Sequence, residues 1–186
     1  MLNSTGWRYR QAMITGTKVR IRALETGDRD RISAWRNKRS IQDQLIGWHW
    51  PTSPENESDW LNAIRNDSVN KRFAIEASDG KHIGNIGVYD IDWIWRQCGF
   101  GLFIGDDNYR GKGYAFDASK ALLEFVFSEV GMHRVWVYIL ASNEPSIKHF
   151  TRLGFTHEGV LREHNFRSGV FVNVNVMGLI DTDFRK

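Results

Sequence analysis

Asp106-Asp107-Asn108-Tyr109-Arg110-Gly111-Lys112-Gly113-Tyr114-Ala115 is the stretch that decides how this chain is read. Before it, the apolar run from Gly99 to Ile104 predicts a strand. After it, Ala118, Ala121, Leu122, Phe125 and Val126 recur at helical spacing and predict one apolar face of a helix over 116–130. A glycine-rich turn thus joins a strand's end to a helix's beginning. The first turn of a helix leaves backbone N–H groups unpartnered at the positive end of the dipole, so the place suits a phosphate.

Outward from the turn, the pattern alternates between strands and helices. Val19, Ile21 and Ala23 alternate with Lys18, Arg20 and Arg22, the mark of a half-buried strand. Thr26 to Asp28 supply cap residues for a helix through Ile32 and Trp35, and Ser53-Pro54 opens a second helix. Residues 72–77 and 82–89 read as a hairpin around Ser78-Asp79-Gly80. Gly131 stops the central helix, 134–140 is a strand, and Asn143 caps a short helix ending at Gly154. Strands at 155–163 and 170–180 flank the turn Ser168-Gly169. These elements predict an α+β class with a mixed, mainly antiparallel sheet of about seven strands. Residues 1–16 read as an N-terminal extension and 17–186 as a single domain.

The chain has 186 residues, 41% of them hydrophobic, and a net charge of +3, so a small anionic ligand fits as well as nucleic acid. No RNA-binding signature appears, which leaves nucleic acid a poor candidate. Cys98 is the single cysteine, so no internal disulfide forms. Its place at the start of an apolar strand predicts an inert, buried thiol. No apolar run is long enough to cross a membrane, and the expected location is cytoplasmic.

The glycine turn fails two known phosphate patterns. Lys112 is followed by Gly113 rather than by a hydroxyl, which excludes the P-loop. Gly111 and Gly113 lack the third glycine of the dinucleotide fingerprint. Arg110-x-x-Gly113-x-Ala115 instead matches the [QR]-x-x-G-x-[GA] signature of the GNAT acetyltransferases. The run 101–105 resembles that family's splayed fourth strand, and Asn143-Glu144-Pro145-Ser146 with Arg152-Leu153-Gly154-Phe155 resembles its second conserved region. The pattern from Val19 through Trp35-Arg36-Asn37 to Met177 resembles the branch of ribosomal-protein N-terminal acetyltransferases, which also holds polyamine and amino-sugar enzymes.

The resemblance implies acetyl-coenzyme A as donor, no metal, and an amine acceptor. The protein N-terminus is the leading acceptor; a polyamine, an amino sugar, or coenzyme A sensing without turnover are the alternatives. It implies that the amides of Gly111, Lys112, Gly113, Tyr114 and Ala115 cradle the pyrophosphate, with charge from Arg110 and Lys112. For those two side chains a solvated basic loop is the competing reading. An amide at Phe103 or Ile104 would face the thioester carbonyl. Asn143 would hold the pantetheine arm or serve only as a helix cap. Relatives carry a Glu base where this chain has Gly99, and a Tyr acid where it has Phe150. Ser146 fits the position of the ribosomal branch's serine as a proton relay or serves only to cap its helix, and His164 is the more chemical candidate near the next conserved position or plain surface; no general base is assigned. Glu76, Asp90 and Asp92 border the expected acceptor cleft. Of six flanking tryptophans, Trp35 and Trp60 are expected in the core, and Trp93 and Trp95 as cleft walls. A monomer or a homodimer fits the fold.

Overall fold

The computed structural model describes residues 14–47 and 50–186. Eight strands form one sheet: β1 (Ile14–Thr15), β2 (Val19–Ala23), β3 (Lys71–Ala77), β4 (His82–Asp92), β5 (Gln97–Ile104), β6 (Arg134–Leu140), β7 (Thr156–Arg167) and β8 (Val170–Ile180). Their spatial order is β1-β2-β3-β4-β5-β6-β8-β7, and β5–β6 is the one parallel pair. The helices are α1 (Arg29–Arg36), α2 (Arg39–Gln42), α3 (Pro54–Arg65), α4 (Tyr114–Ser128), α5 (Glu144–Arg152) and α6 (Asp181–Phe184).

The expected α+β sheet is present with one strand more than expected. Ile14 and Thr15, assigned from sequence to the leading extension, already pair with Ile21 and Arg20. Two residues carry too little pattern to read as a strand. Residues 1–13 of that extension lie outside the described residues.

Alternation sorts the sheet into two faces. Ile21, Ile75, Ile86 and Phe100 point toward α4 and α5, where Ala118, Leu122, Val126 and Phe150 complete the main core. Each such side chain contributes ~1.5–3 kcal/mol through burial. The opposite face carries Arg20, Arg22 and Glu76 beneath α1 and the turn before it. Arg22 joins two carboxylates there, Asp28 at 2.8 Å and Glu76 at 2.7 Å. Burial alone would raise the Asp28 carboxyl, but Arg22 and His82 hold it well below the usual range. Glu57, fully buried, clasps α3 to α1 through Arg36 at 3.0 Å and takes the Thr52 hydroxyl at 2.7 Å.

Of the caps read from sequence, Thr26 to Asp28 form a 3-10 turn instead, with no side-chain cap bond at the start of α1; the other two are present. Ser53 accepts from the Asn56 N–H with Pro54 at the first helical position, and Asn143 accepts from the Ser146 N–H. Gly131 and Gly154, at φ +75 and +93, end their helices in the left-handed conformation that favours glycine.

Candidate active site

The site begins where the parallel pair stops. β5 and β6 are registered at Gln97, Cys98 and Gly99 against Arg134, Val135 and Trp136. Beyond Gly99 both strands continue without pairing to each other, so the sheet opens into a V. The Gly105 N–H donates to the Ile83 carbonyl at 2.8 Å, which fixes the phase of the β4–β5 ladder. In an antiparallel ladder alternate residues point their N–H to the same neighbour. Phe103 and Gly101 therefore pair with β4, whereas the amides of Leu102 and Ile104 face the V. Of the two residues expected to present an amide there, Ile104 does so and Phe103 does not.

At the mouth of the V lies the glycine turn. Gly111 and Gly113 adopt φ +69 and +85, and Gly113 is the N-cap of α4. Among the described residues no side chain caps that helix end, so its first amides stay available to an anion. Arg110 is spent on the protein: its Nε donates to the Ile104 carbonyl at 3.0 Å, and its guanidinium meets Asp107 at 3.2 Å. Lys112 is exposed. A cation missed in the sequence stands beside them: Lys18 Nζ donates to the Lys112 carbonyl at 3.0 Å. Its alternating strand pattern showed that it faces outward and gave no sign of what it faces.

The V widens into a cleft of about 850 Å³ that runs from the glycine turn across the α1 face of the sheet. On the donor side it is lined by Ile104, Gly111, Tyr114, Asn143, Ser146, His149 and Phe150. Asn143 does two jobs here: its Oδ1 caps α5, and its amide donates to the Gln44 carbonyl at 3.2 Å. Phe150 stacks edge-on against Phe100 and Phe155, at 6.1 and 5.1 Å, so no hydroxyl acid stands at that position. His149, also unforeseen, approaches Ser119 Oγ at 3.1 Å, and burial followed by the Arg152 charge lowers it to about 4. It is neutral at physiological pH.

Across the cleft lie Trp60, Arg72, Asn85, Tyr89, Asp90, Trp136 and Tyr138. A Cβ at Gly99 would collide with the Tyr89 ring, which stands 5.2 Å edge-on from Trp136. The aromatic ring thus occupies the space next to the position where relatives carry a Glu. Burial raises the Tyr89 hydroxyl far above its ordinary value, against the opposing charge of Arg72. Asn85 is oriented from behind: His82 Nε2 faces both its Oδ1 at 2.7 Å and the Gly84 carbonyl at 3.0 Å, so that nitrogen carries the proton. The roof is the segment 42–45, whose Gln42 and Leu45 carbonyls accept from Arg167 on the β7–β8 hairpin.

Several expected groups lie elsewhere. His164 is exposed beside Tyr138, ring to ring at 6.2 Å, and does not line the cleft. Glu76 is consumed by Arg20 and Arg22, and Asp92 holds the Ile94 and Trp95 amides of a turn at 2.9 and 2.8 Å. Asp90 alone of the three borders the cleft. Trp93 and Trp95, expected as cleft walls, sit on that turn 55% and 74% exposed. They share a strand-like spacing, but the strand ends at Asp92. Trp35 is in the core as expected; Trp60 is instead a cleft wall, and Trp50 is exposed. Trp48 lies outside the described residues. Burial pushes the Cys98 thiol up to about 12, which confirms it as inert.

A strand pair that parts beside an uncapped glycine-started helix is the geometry expected from the signature around Arg110. The family model described as "Acetyltransferase (GNAT) domain" matches residues 18–156. The chain belongs to the GNAT acetyltransferase family. It is an acetyl-coenzyme A-dependent N-acetyltransferase. It is 26% identical over 172 residues to a spermidine N(1)-acetyltransferase of Vibrio cholerae, which covers 90% of this chain and 96% of the relative. It is 26% identical over 165 residues to the enzyme of the same name from Escherichia coli, covering 87% and 85%. An uncharacterized N-acetyltransferase of a Bacillus subtilis prophage is 30% identical over 152 residues, covering 78% and 83%. The crystal structure of the Vibrio cholerae spermidine N-acetyltransferase with CoA and spermine superposes at a TM-score of 0.85, with 24% identity, over 91% of this chain and 99% of that one. GNAT membership is thus as expected from sequence. The branch is corrected: the relatives named for an activity are polyamine enzymes, not ribosomal-protein acetyltransferases.

Proposed function

We propose that the chain acetylates the primary amine of a small molecule rather than a protein N-terminus. The observation that carries this reading is end-to-end similarity to two enzymes named for a small-amine substrate. The cleft agrees with it, being lined by aromatic rings beneath a roof pinned by Arg167.

Acetyl-coenzyme A supplies a thioester whose carbonyl carbon bonds to the amine nitrogen as the carbon–sulfur bond breaks. The chain's residues fit it at two places, the uncapped glycine turn and the unpaired strand edge. The amides of Gly111 to Ala115 hold the pyrophosphate, and Lys18 and Lys112 add charge beside it. The Leu102 and Ile104 amides orient the acyl arm and stabilise negative charge on the carbonyl oxygen. Arg110 fixes the Ile104 peptide from its carbonyl side. The Asn143 amide holds the pantetheine arm by exchanging its bond to Gln44.

An ammonium has no lone pair, so the acceptor must lose a proton before it reacts. Asp90, the one carboxylate among the described residues lining the cleft, draws the ammonium and takes that proton through solvent. Ser146 Oγ, on the donor side, returns a proton to the departing sulfur. Thiol release with spermidine, putrescine and amino sugars, set against Ala- and Ser-starting peptides, tests the reading. Turnover of small amines above peptides is expected, and the reverse order would refute it.

A further inference from the structure

Arg72 stands in the acceptor half of the cleft and, among the described residues, makes no direct ion pair. It lies on β3 opposite Gly87, and its side chain crosses that glycine, where a Cβ would come within 2.9 Å of its Cδ. The guanidinium then sits 5.1 Å above the centre of the Tyr89 ring, on the cleft wall. Among the described residues no carboxylate lies within 4.0 Å of it and no carbonyl accepts from it. The other enclosed arginines are used differently: Arg22 holds Asp28 and Glu76, and Arg36 holds Glu57. Asp90 and Asp67 act on Arg72 only from beyond ion-pair distance, and burial outweighs their pull, so these charges and the ring face offset the cost of a half-buried cation only in part.

The charges around it point the same way. Four cations line the cleft; Arg110 and Lys148 have Asp107 and Glu144 as partners, which leaves Arg72 and Arg152 set against the single lining carboxylate Asp90. A polyamine would place several ammonium groups in that field with one partner. Arg72, Gly87 and Gly101 lie in line across three neighbouring strands, so the arginine is two strand spacings, about 10 Å, from the acyl edge. Resting on the small-amine reading above, we infer that the acceptor carries an anionic group, carboxylate or phosphate, several bonds from its amine, and that Arg72 binds it. Asp90 takes the ammonium end and Arg72 the anion.

The test measures thiol release from acetyl-coenzyme A with matched acceptors: 5-aminopentanoate against 5-aminopentanol, glucosamine 6-phosphate against glucosamine, and spermidine. At least one anionic amine should exceed its neutral partner in kcat/KM by about tenfold or more, the worth of one charge-assisted hydrogen bond. Which pair shows the advantage distinguishes carboxylate from phosphate. Arg72→Gln should bring that ratio close to one while the KM for acetyl-coenzyme A stays the same, and Arg72→Lys should restore part of it. Equal ratios in wild type and Arg72→Gln, or spermidine as the best acceptor, would overturn the inference. Calorimetric titration of the same anionic amines into CoA-loaded protein separates the two levels. Arg72-dependent binding without turnover would overturn the transferase reading and uphold the anion site, and absence of both would overturn both.

Discussion

Asp117 in the first turn of α4 accepts the backbone N–H of Lys18 at 2.7 Å, while the Lys18 ammonium reaches back to the Lys112 carbonyl at 3.0 Å. Each residue steadies the segment that carries the other. The same carboxylate takes the Thr17 and Val19 amides, at 3.0 and 3.1 Å, and fills the space a Gly16 side chain would need. The start of β2 and the glycine turn are therefore tied together, and that unit frames the proposed phosphate cradle.

Asp117→Ala should destabilise the fold by roughly 1–3 kcal/mol, because charge-assisted bonds to three amides go together. Burial alone would raise this carboxyl, but the amides of Lys18, Thr17 and Val19 outweigh it and the net shift is downward. A depressed folded value means the stabilisation is complete above the unfolded value of about 3.9 and is lost as pH falls through the folded one. Denaturant melts from pH 6 to pH 2 should show a shallower acid loss in Asp117→Asn than in wild type.

Gly113→Ala tests the cradle. An L-residue at φ +85 is strained by about 1–2 kcal/mol, and its Cβ would sit 3.4 Å from Lys18 Nζ at the helix start. The KM for acetyl-coenzyme A should rise about tenfold, with the acceptor KM little changed. A variant that melts lower yet keeps the wild-type cofactor KM would remove Gly113 from the cofactor site.

Gly99 and Tyr89 form one packing unit, so their substitutions should not add. Gly99→Ala drives a methyl into the Tyr89 ring and should cost about 1–3 kcal/mol. In a Tyr89→Ala background the same change should cost much less, a coupling on the order of 1 kcal/mol or more by double-mutant cycle. Gly99→Glu alone should not create a working base, since the ring already occupies that space.

His149 gives a pH signature of stability. Its proton affinity falls from an unfolded pKa of about 6.5 to about 4 in the fold, so the unfolded chain binds the extra proton between those values. Stability should therefore drop as pH falls from about 6.5 to about 4, by on the order of 3 kcal/mol from this group, and then level off. His149→Gln should flatten that segment of the curve.

Much of this molecule was legible in its sequence, and unevenly so. The four longer helices announced themselves through 3.6-residue spacing and through Ser53, Asn143, Gly131 and Gly154 at their ends, all local signals, whereas α2 and α6, four residues each, are too short to carry a period. The proposed donor half is legible because a contiguous turn, 110–115, carries its signature. The cleft wall opposite is assembled by register: Arg72 meets Gly87, and Tyr89 meets Gly99, across consecutive strands whose pairing offset the turns set. No spacing encodes that. Trp93 and Trp95 were misplaced because β4 ends at Asp92, one residue before them, and their alternation then belongs to a turn. His149 is a polar position on a short helix, and its burial comes from contact with Ser119 on α4, which no local spacing encodes.

The central claim is that the parted strands and the glycine turn present an acetyl thioester to a free small-molecule amine. Mass spectrometry of the amine after incubation with protein and acetyl-coenzyme A, run beside the thiol assay, tests it most directly. One acetyl group on the primary nitrogen for each thiol released is the expected result. Thiol release without an acetylated amine, or no release from protein that binds the cofactor tightly, would contradict it.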